Sequence, residues 1–233
     1  MVFSYFHGTS TIFLDSIRKH GLGAVNPNIE FKNLEVLKFL FATCEHHIPN
    51  NSKHQHLRDT TKAMVHQGIH KLVDEKGKKL YNYYRHDGIF VSLSKIRAAI
   101  YSVTNKYGSE ILERCILHYE ILIEEKVEFK IPPEIDLFNF RQYIEVETKP
   151  IMVKIVSVPD KNLETEDGKP ASDTLNFLRR SIPSMSQKDK FERFQFYNFK
   201  LLTPIPVEQL KFYEIEYEGS PGQKKFEIML CGI

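Results

Sequence analysis

Helical and strand-like apolar patterns occupy different parts of this chain, and their segregation narrows the possible folds more than any single motif does. After a short β-prone run at residues 2–6, the hydroxyls of Thr9, Ser10 and Thr11 are placed to cap a helix. Ile12 or Phe13, Leu14, Ile17 and His20 then follow a rough helical period, which Gly21 ends ahead of Leu22. A second helix is expected over 29–47, with Leu34, Leu37, Leu40 and Phe41 near one face, and a Pro-Asn-Asn-Ser loop at 49–52 follows it. A third is expected over 57–73, carrying Met64, Val65, Ile69 and Leu72, and a charged turn at 74–79 with Gly77 closes it.

From residue 88 onward strand-like runs prevail. Residues 88–94 read as a strand, and Ser94 is set to cap a helix through Ala98, Ala99 and Tyr101. The apolar runs 115–123 and 143–158 are expected as strands, as are 194–202, 210–217 and 226–231. Residues 160–172 read as a loop, 173–180 as a short helix and 181–190 as a polar, mobile stretch, so a long loop region is expected over about 160–190. The simplest organisation is one domain over 1–233 with a helical insertion at about 26–80.

Composition removes several classes. With 42% hydrophobic and 12% aromatic residues, and only 11 Gly and 11 Pro, the 233-residue chain has the means to bury a core and is neither disordered nor collagen-like. Lys and Arg total 32 against 30 Asp and Glu, so any basic surface must be local. Cys44, Cys115 and Cys231 lack CxxC spacing, which argues against a disulfide scaffold or zinc ribbon and for a reducing compartment. There is no 18-residue apolar run and no signal-peptide pattern at the start, so a cytoplasmic protein without membrane partners is expected.

Two stretches carry the chemistry. His7-Gly8-Thr9 places hydrogen-bonding side chains beside a backbone that a flat ligand can approach without meeting a Cβ, although such triplets also serve turns and caps. Residues 88–101 form a strand and helix in which Phe90 and Tyr101 are able to sandwich a ring, although aromatics there also serve ordinary packing. In order, His7-Gly8-Thr9, Gly21-Leu22, Gly88-Ile89-Phe90 and Ala98-Ala99-Ile100-Tyr101 resemble the motifs of the ADP-ribosyltransferase superfamily, in particular its poly(ADP-ribose) polymerase-like and toxin-type branches. The resemblance covers the first 25 residues, 85–115 and 194–217.

That resemblance implies an α+β fold with a split β-sheet core and NAD as co-substrate. It implies that His7 bonds the adenosine-side or nicotinamide-side ribose, that Gly8 holds the carboxamide through its backbone, and that Tyr101 stacks on the nicotinamide. Thr9 accompanies them, and Phe90 stands where the family has a tyrosine. A family serine falls on Ala98, with Ser92 or Ser94 as substitutes. The family's late-strand glutamate, which stabilises positive charge at the anomeric carbon, falls on Asn198, or on Lys200 in another register. Glu145 and Glu147, expected on one face of a strand, resemble the Glu-x-Glu pair of the toxin branch, and on an amphipathic strand would equally be solvent-facing.

The implied function is transfer of ADP-ribose to a macromolecular acceptor, as in toxins or antiviral defence effectors, with an inhibitory antitoxin-type protein as a candidate partner. Basic residues at Lys76, Lys78, Lys79 and Arg85, and at Arg179, Arg180, Lys188, Lys190 and Arg193, lie near Tyr81, Tyr83, Tyr84, Phe191 and Phe194. They favour nucleic acid over protein as that acceptor. A silent NAD, ADP-ribose or nucleic-acid binding module, and a relative of the RNA 2′-phosphotransferases, are the other readings. No metal is expected: His46, His47, His54, His56, His66 and His70 crowd one region, with His66 and His70 one helical turn apart, but they read as surface histidines because no third-ligand spacing follows.

Overall fold

A computed structural model of the protein describes residues 2–73, 77, 79–219 and 227–233. In chain order the elements are β1 (Tyr5–Ser10), α1 (Thr11–His20), α2 (Pro27–Glu30), α3 (Asn33–His47), α4 (Ser52–Val65), β2 (Ile69–Val73), β3 (Lys79–Tyr83), β4 (Phe90–Ser92), α5 (Lys95–Thr104) and α6 (Glu110–Glu124). There follow β5 (Pro150–Ile155), β6 (Leu163–Thr165), α7 (Ser172–Ser181), α8 (Gln187–Phe194), β7 (Asn198–Leu201), β8 (Leu210–Glu218) and β9 (Glu227–Gly232). The chain is α+β and divides into two compact units, one of Met1–Val25, Gly88–Ser109 and Glu147–Ile233, the other of Asn26–Asp87 and Glu110–Val146.

The first unit is built on a seven-stranded sheet in the order β6-β7-β4-β1-β5-β8-β9, antiparallel throughout. Strand alternation sends Tyr5, Val91, Ile151, Val153, Ile155 and Phe199 into the larger core, which Leu14 and Ile17 of α1 and Leu175 and Leu178 of α7 also fill. On the opposite face Met152 and Ile215 pack with Ala98 and Ala99 of α5. As the sequence implies, Ser10 caps α1 by accepting from Ile12 N–H, and Gly21 ends it at φ +86°, where its N–H reaches Ile17 O. Ser94 likewise caps α5 through Arg97 N–H at 3.2 Å.

The second unit holds α2, α3, α4, α6 and the β2–β3 hairpin. Here several expectations fail. Residues 115–123 are not a strand but part of α6, whose Ile111, Leu112, Cys115, Ile116, His118, Ile121 and Leu122 are all buried. Such wide burial blurs the helical stripe into a continuous apolar run, which reads equally as a core strand. The helix expected over 57–73 starts at Ser52 and stops at Val65, where Gln67 adopts φ +51° and the chain turns into β2. His66 and His70 therefore share no helix face. Lys32, at φ +56°, divides the expected 29–47 helix into α2 and α3.

Two further corrections bear on the site. Residues 143–147 are not a strand: Tyr143 closes a short 3-10 turn, Phe140–Tyr143, and its ring stacks on that of Phe138, just ahead of the turn, with centroids 4.9 Å apart. Pairing begins only at Pro150, so Glu145 and Glu147 lose the shared strand face expected for them. The polar stretch 181–190 is largely helical, because Ser186 caps α8 by accepting from Asp189 N–H at 3.1 Å.

Candidate functional site

The first unit's sheet is narrowest between β1 and β4. β1 joins β5 through six register pairs, from Tyr5↔Ile155 to Ser10↔Pro150, but joins β4 through one, Phe6↔Ser92. The phase of the ladder follows from Thr11 N–H, which donates to Lys149 O one step beyond those six pairs. Odd-numbered residues of β1 therefore turn their backbone groups to β5, and even-numbered ones turn theirs to β4. Phe6 uses them on Ser92, whereas Gly8 directs its N–H and C=O across the seam where the ladder has stopped.

His7 occupies that opening. Its Nδ1 lies 2.8 Å from O of Phe90, which continuation of the Phe6↔Ser92 register sets opposite Gly8. A carbonyl only accepts, so Nδ1 carries the proton and Nε2 keeps its lone pair. Burial pushes the imidazole's pKa below its ordinary value, with the bond to Phe90 O opposing. His7 is thus a neutral acceptor near pH 7.

Gly8 is fixed by packing from above. A Cβ built there falls 2.2 Å from Ala98 O and 2.8 Å from Ser102 Oγ, so α5 rests directly on the strand. Ser102 pins the helix by donating to Ile151 O at 2.7 Å. One turn beyond Arg97, Tyr101 lies on the flank of α5 whose Arg97 guanidinium donates to Gln195 O, just ahead of β7. Tyr101 and Phe90 are both half-buried.

The register carries this face outward through Ser92↔Asn198 to β7. Asn198 Nδ2 donates to Glu166 Oε1 at 2.9 Å, which brings a half-buried carboxylate to the position where the sequence reading found none. Glu166 follows β6, which pairs with β7 as Thr165↔Phe199, so it sits opposite Asn198 by continuation of the ladder. Pairing between residues 32 apart leaves no mark in local pattern, although Thr165-Glu-Asp-Gly-Lys169 does carry a turn signature.

The other expected site residues are placed as follows. Thr9 is buried, its Oγ1 3.5 Å from Gly108 O. Ser92 is also buried, its Oγ accepting from Ser94 N–H at 3.1 Å and facing Tyr197 O. Glu145 belongs to the second unit and Glu147 to the first, and both are exposed. Lys200, the alternative register, pairs with Phe90.

Of the basic residues, Lys76 and Lys78 lie outside the described residues, and Arg85 donates to Asp87. Arg179 is held by both oxygens of Asp160. Arg193 lies 5.8 Å from the ring centroid of Phe177, and Phe177 and Phe191 are exposed on α7 and α8. No helix among the described residues is long and apolar enough to cross a membrane. Compared with family models, curated proteins and solved structures, the chain gives no match.

Proposed function

We propose that the first unit binds NAD at the β1/β4 seam and transfers its ADP-ribose to a macromolecule. The observation that carries this reading is the backbone edge of Gly8, which faces the seam beyond the last ladder pair. One N–H and one C=O on the same residue match the acceptor and donor of a carboxamide, as in an ordinary strand pair. The near-division of the sheet into β6-β7-β4 and β1-β5-β8-β9 supports the split-sheet architecture that the sequence motifs imply.

With the carboxamide on Gly8, the neutral Nε2 of His7 accepts from a ribose hydroxyl, and Phe90 and Tyr101 supply the aromatic walls. Asn198 and Glu166 then stand two and three strands from β1, about 10–14 Å at ordinary strand spacing. As the N-glycosidic bond breaks, its electron pair leaves with nicotinamide and positive charge grows on the ribose. A fixed carboxylate at Glu166 stabilises that charge, and Asn198 orients it. The acceptor's lone pair then closes on the anomeric carbon, and its proton passes to solvent.

Nucleic acid is the favoured acceptor, because α7 and α8 carry Arg180, Lys188, Lys190 and Arg193 together with exposed Phe177 and Phe191. The test is incubation with labelled NAD and, separately, RNA, single-stranded DNA, duplex DNA and protein extract, following nicotinamide release and label transfer. Label on a nucleic acid is expected, with both signals abolished in His7→Ala. No release despite confirmed NAD binding would leave a silent binding module, and unchanged turnover in His7→Ala would remove the seam as the site.

A further inference from the structure

We propose that the helical unit carries a zinc site in its core, with Cys44, His54 and His118 as ligands, independent of the NAD reading. Each residue comes from a different helix: Cys44 from α3, His54 from α4 and His118 from α6. All three are fully buried, and one ligand atom from each lies within 4.8 Å of the other two.

The hydrogen-bond inventory of the cluster is short by one donor. His54 Nε2 lies 2.6 Å from Glu45 Oε1, and a carboxylate only accepts, so Nε2 carries the proton. Nδ1 of His54 is then a bare lone pair, and it has no partner among the described residues despite complete burial. His118 directs Nε2 to Thr61 Oγ1 at 3.0 Å and Nδ1 to Cys44 Sγ at 3.6 Å. With Nε2–H donating to Thr61, His118 too offers a lone pair at Nδ1. A single thiol proton cannot serve both imidazoles. An orphaned buried acceptor is costly, and a cation satisfies it together with its neighbours.

The surroundings suit a metal more than a plain core. Both imidazoles have their outer nitrogens oriented by oxygen partners, Glu45 and Thr61, which is the usual support for metal-bound histidine. Arg58 clamps both oxygens of Glu45, at 2.8 and 2.7 Å, and so fixes that support. The ring of Phe41 flanks both histidines, with centroids 5.8 Å from His54 and 6.0 Å from His118. One thiolate and two imidazoles form a mixed sulfur–nitrogen set of the kind zinc takes, with water in the fourth position. A sulfur and a nitrogen bound to one zinc ion stand about 3.5 Å apart, close to the Cys44–His118 spacing here. The remaining spacings close by a shift on the order of 1 Å.

Binding is balanced by one proton. The thiol ionises as the Zn–S bond forms, both imidazoles bind through existing lone pairs, and the proton leaves to solvent. The ion then ties together α3, α4 and α6.

The metal-free full-length chain is titrated with Co2+ and with Zn2+. Expected are about one ion bound per chain with about one proton released, and for Co2+ the sulfur-to-metal charge-transfer band and intense visible bands of a four-coordinate thiolate site. Zinc should raise the thermal midpoint of the second unit by roughly 5–10 °C. Cys44→Ser should lose the charge-transfer band and most of that rise, whereas Cys115→Ser, Cys231→Ser and His46→Ala should keep both. If the wild-type chain gives no thiolate band with Co2+, the proposal is wrong, whether or not the Cys44 variant folds. A band that survives in Cys44→Ser, or disappears in Cys231→Ser, places the metal elsewhere and overturns it equally.

Discussion

Adding one methyl group at Gly8 tests how the seam is built. In Gly8→Ala the new Cβ stands 2.2 Å from Ala98 O, about 1 Å inside an acceptable carbon–oxygen contact, and the obstacle is backbone. α5 must therefore lift off β1. Its pin, Ser102 Oγ–H to Ile151 O, begins at 2.7 Å, and the same displacement takes it past useful hydrogen-bonding distance. Overpacking of this kind costs about 1–3 kcal/mol, and the stretched buried bond adds about 1 kcal/mol, for a total of about 2–4 kcal/mol. That is a large part of the 5–15 kcal/mol typical of a whole domain. Urea unfolding should show a lower midpoint with an unchanged slope. Ser102→Ala should cost about 1 kcal/mol in the wild-type chain and clearly less in the Gly8→Ala background, because the bond is already lost there. A loss below about 0.5 kcal/mol for Gly8→Ala would refute the claim that helix packing demands this glycine.

Three further predictions concern carboxylates. Glu166→Gln keeps an acceptor for Asn198 but removes the charge, so nicotinamide release should fall on the order of 100-fold with little change in NAD affinity. Asn198→Glu should lower activity as well, since two carboxylates within hydrogen-bond reach cannot both ionise; a gain would show that Glu166 is not the stabilising charge. Asp160 has its carboxyl held below the usual range by the two bonds from Arg179, with partial burial opposing. The folded protein binds that proton only at lower pH than the unfolded chain does, so the pair's stabilisation is complete above about pH 4 and lost as pH falls below it. Asp160→Asn should cost about 1 kcal/mol at pH 7, converging with wild type on the acid side in denaturant titrations.

Local signals carried the first unit well. Ser10 and Ser94 begin helices and Gly21 ends one, because caps and glycine corners act over one turn and are written in adjacent residues. The same grammar is written at Ser186-Gln-Lys-Asp189, which caps α8 inside the polar stretch 181–190. Where burial surrounds an element the pattern loses its period. α6 and its His118 were therefore missed, and His54, read as a surface residue, is wholly buried. Glu166 and β2 illustrate a different limit. One owes its position to a strand pair 32 residues away and the other to a hairpin partner, and neither relation leaves a local trace.

The two units alternate along the chain, and that interleaving sets the order in which they are completed during synthesis. The last residue of the helical unit is Val146, before any part of β5 has been made. β1 emerges near the start but has its long ladder with β5, whose residues come about 145 positions later. On a ribosome adding roughly 5–20 residues per second, β1 waits on the order of 10 s for that partner, with the edge that β5 will cover unpaired. The helical unit needs no such delay, and is finished while the sheet is still a strand, a helix and a short β4. Its early closure shortens the effective loop that the ladder of β1 and β5 must later close.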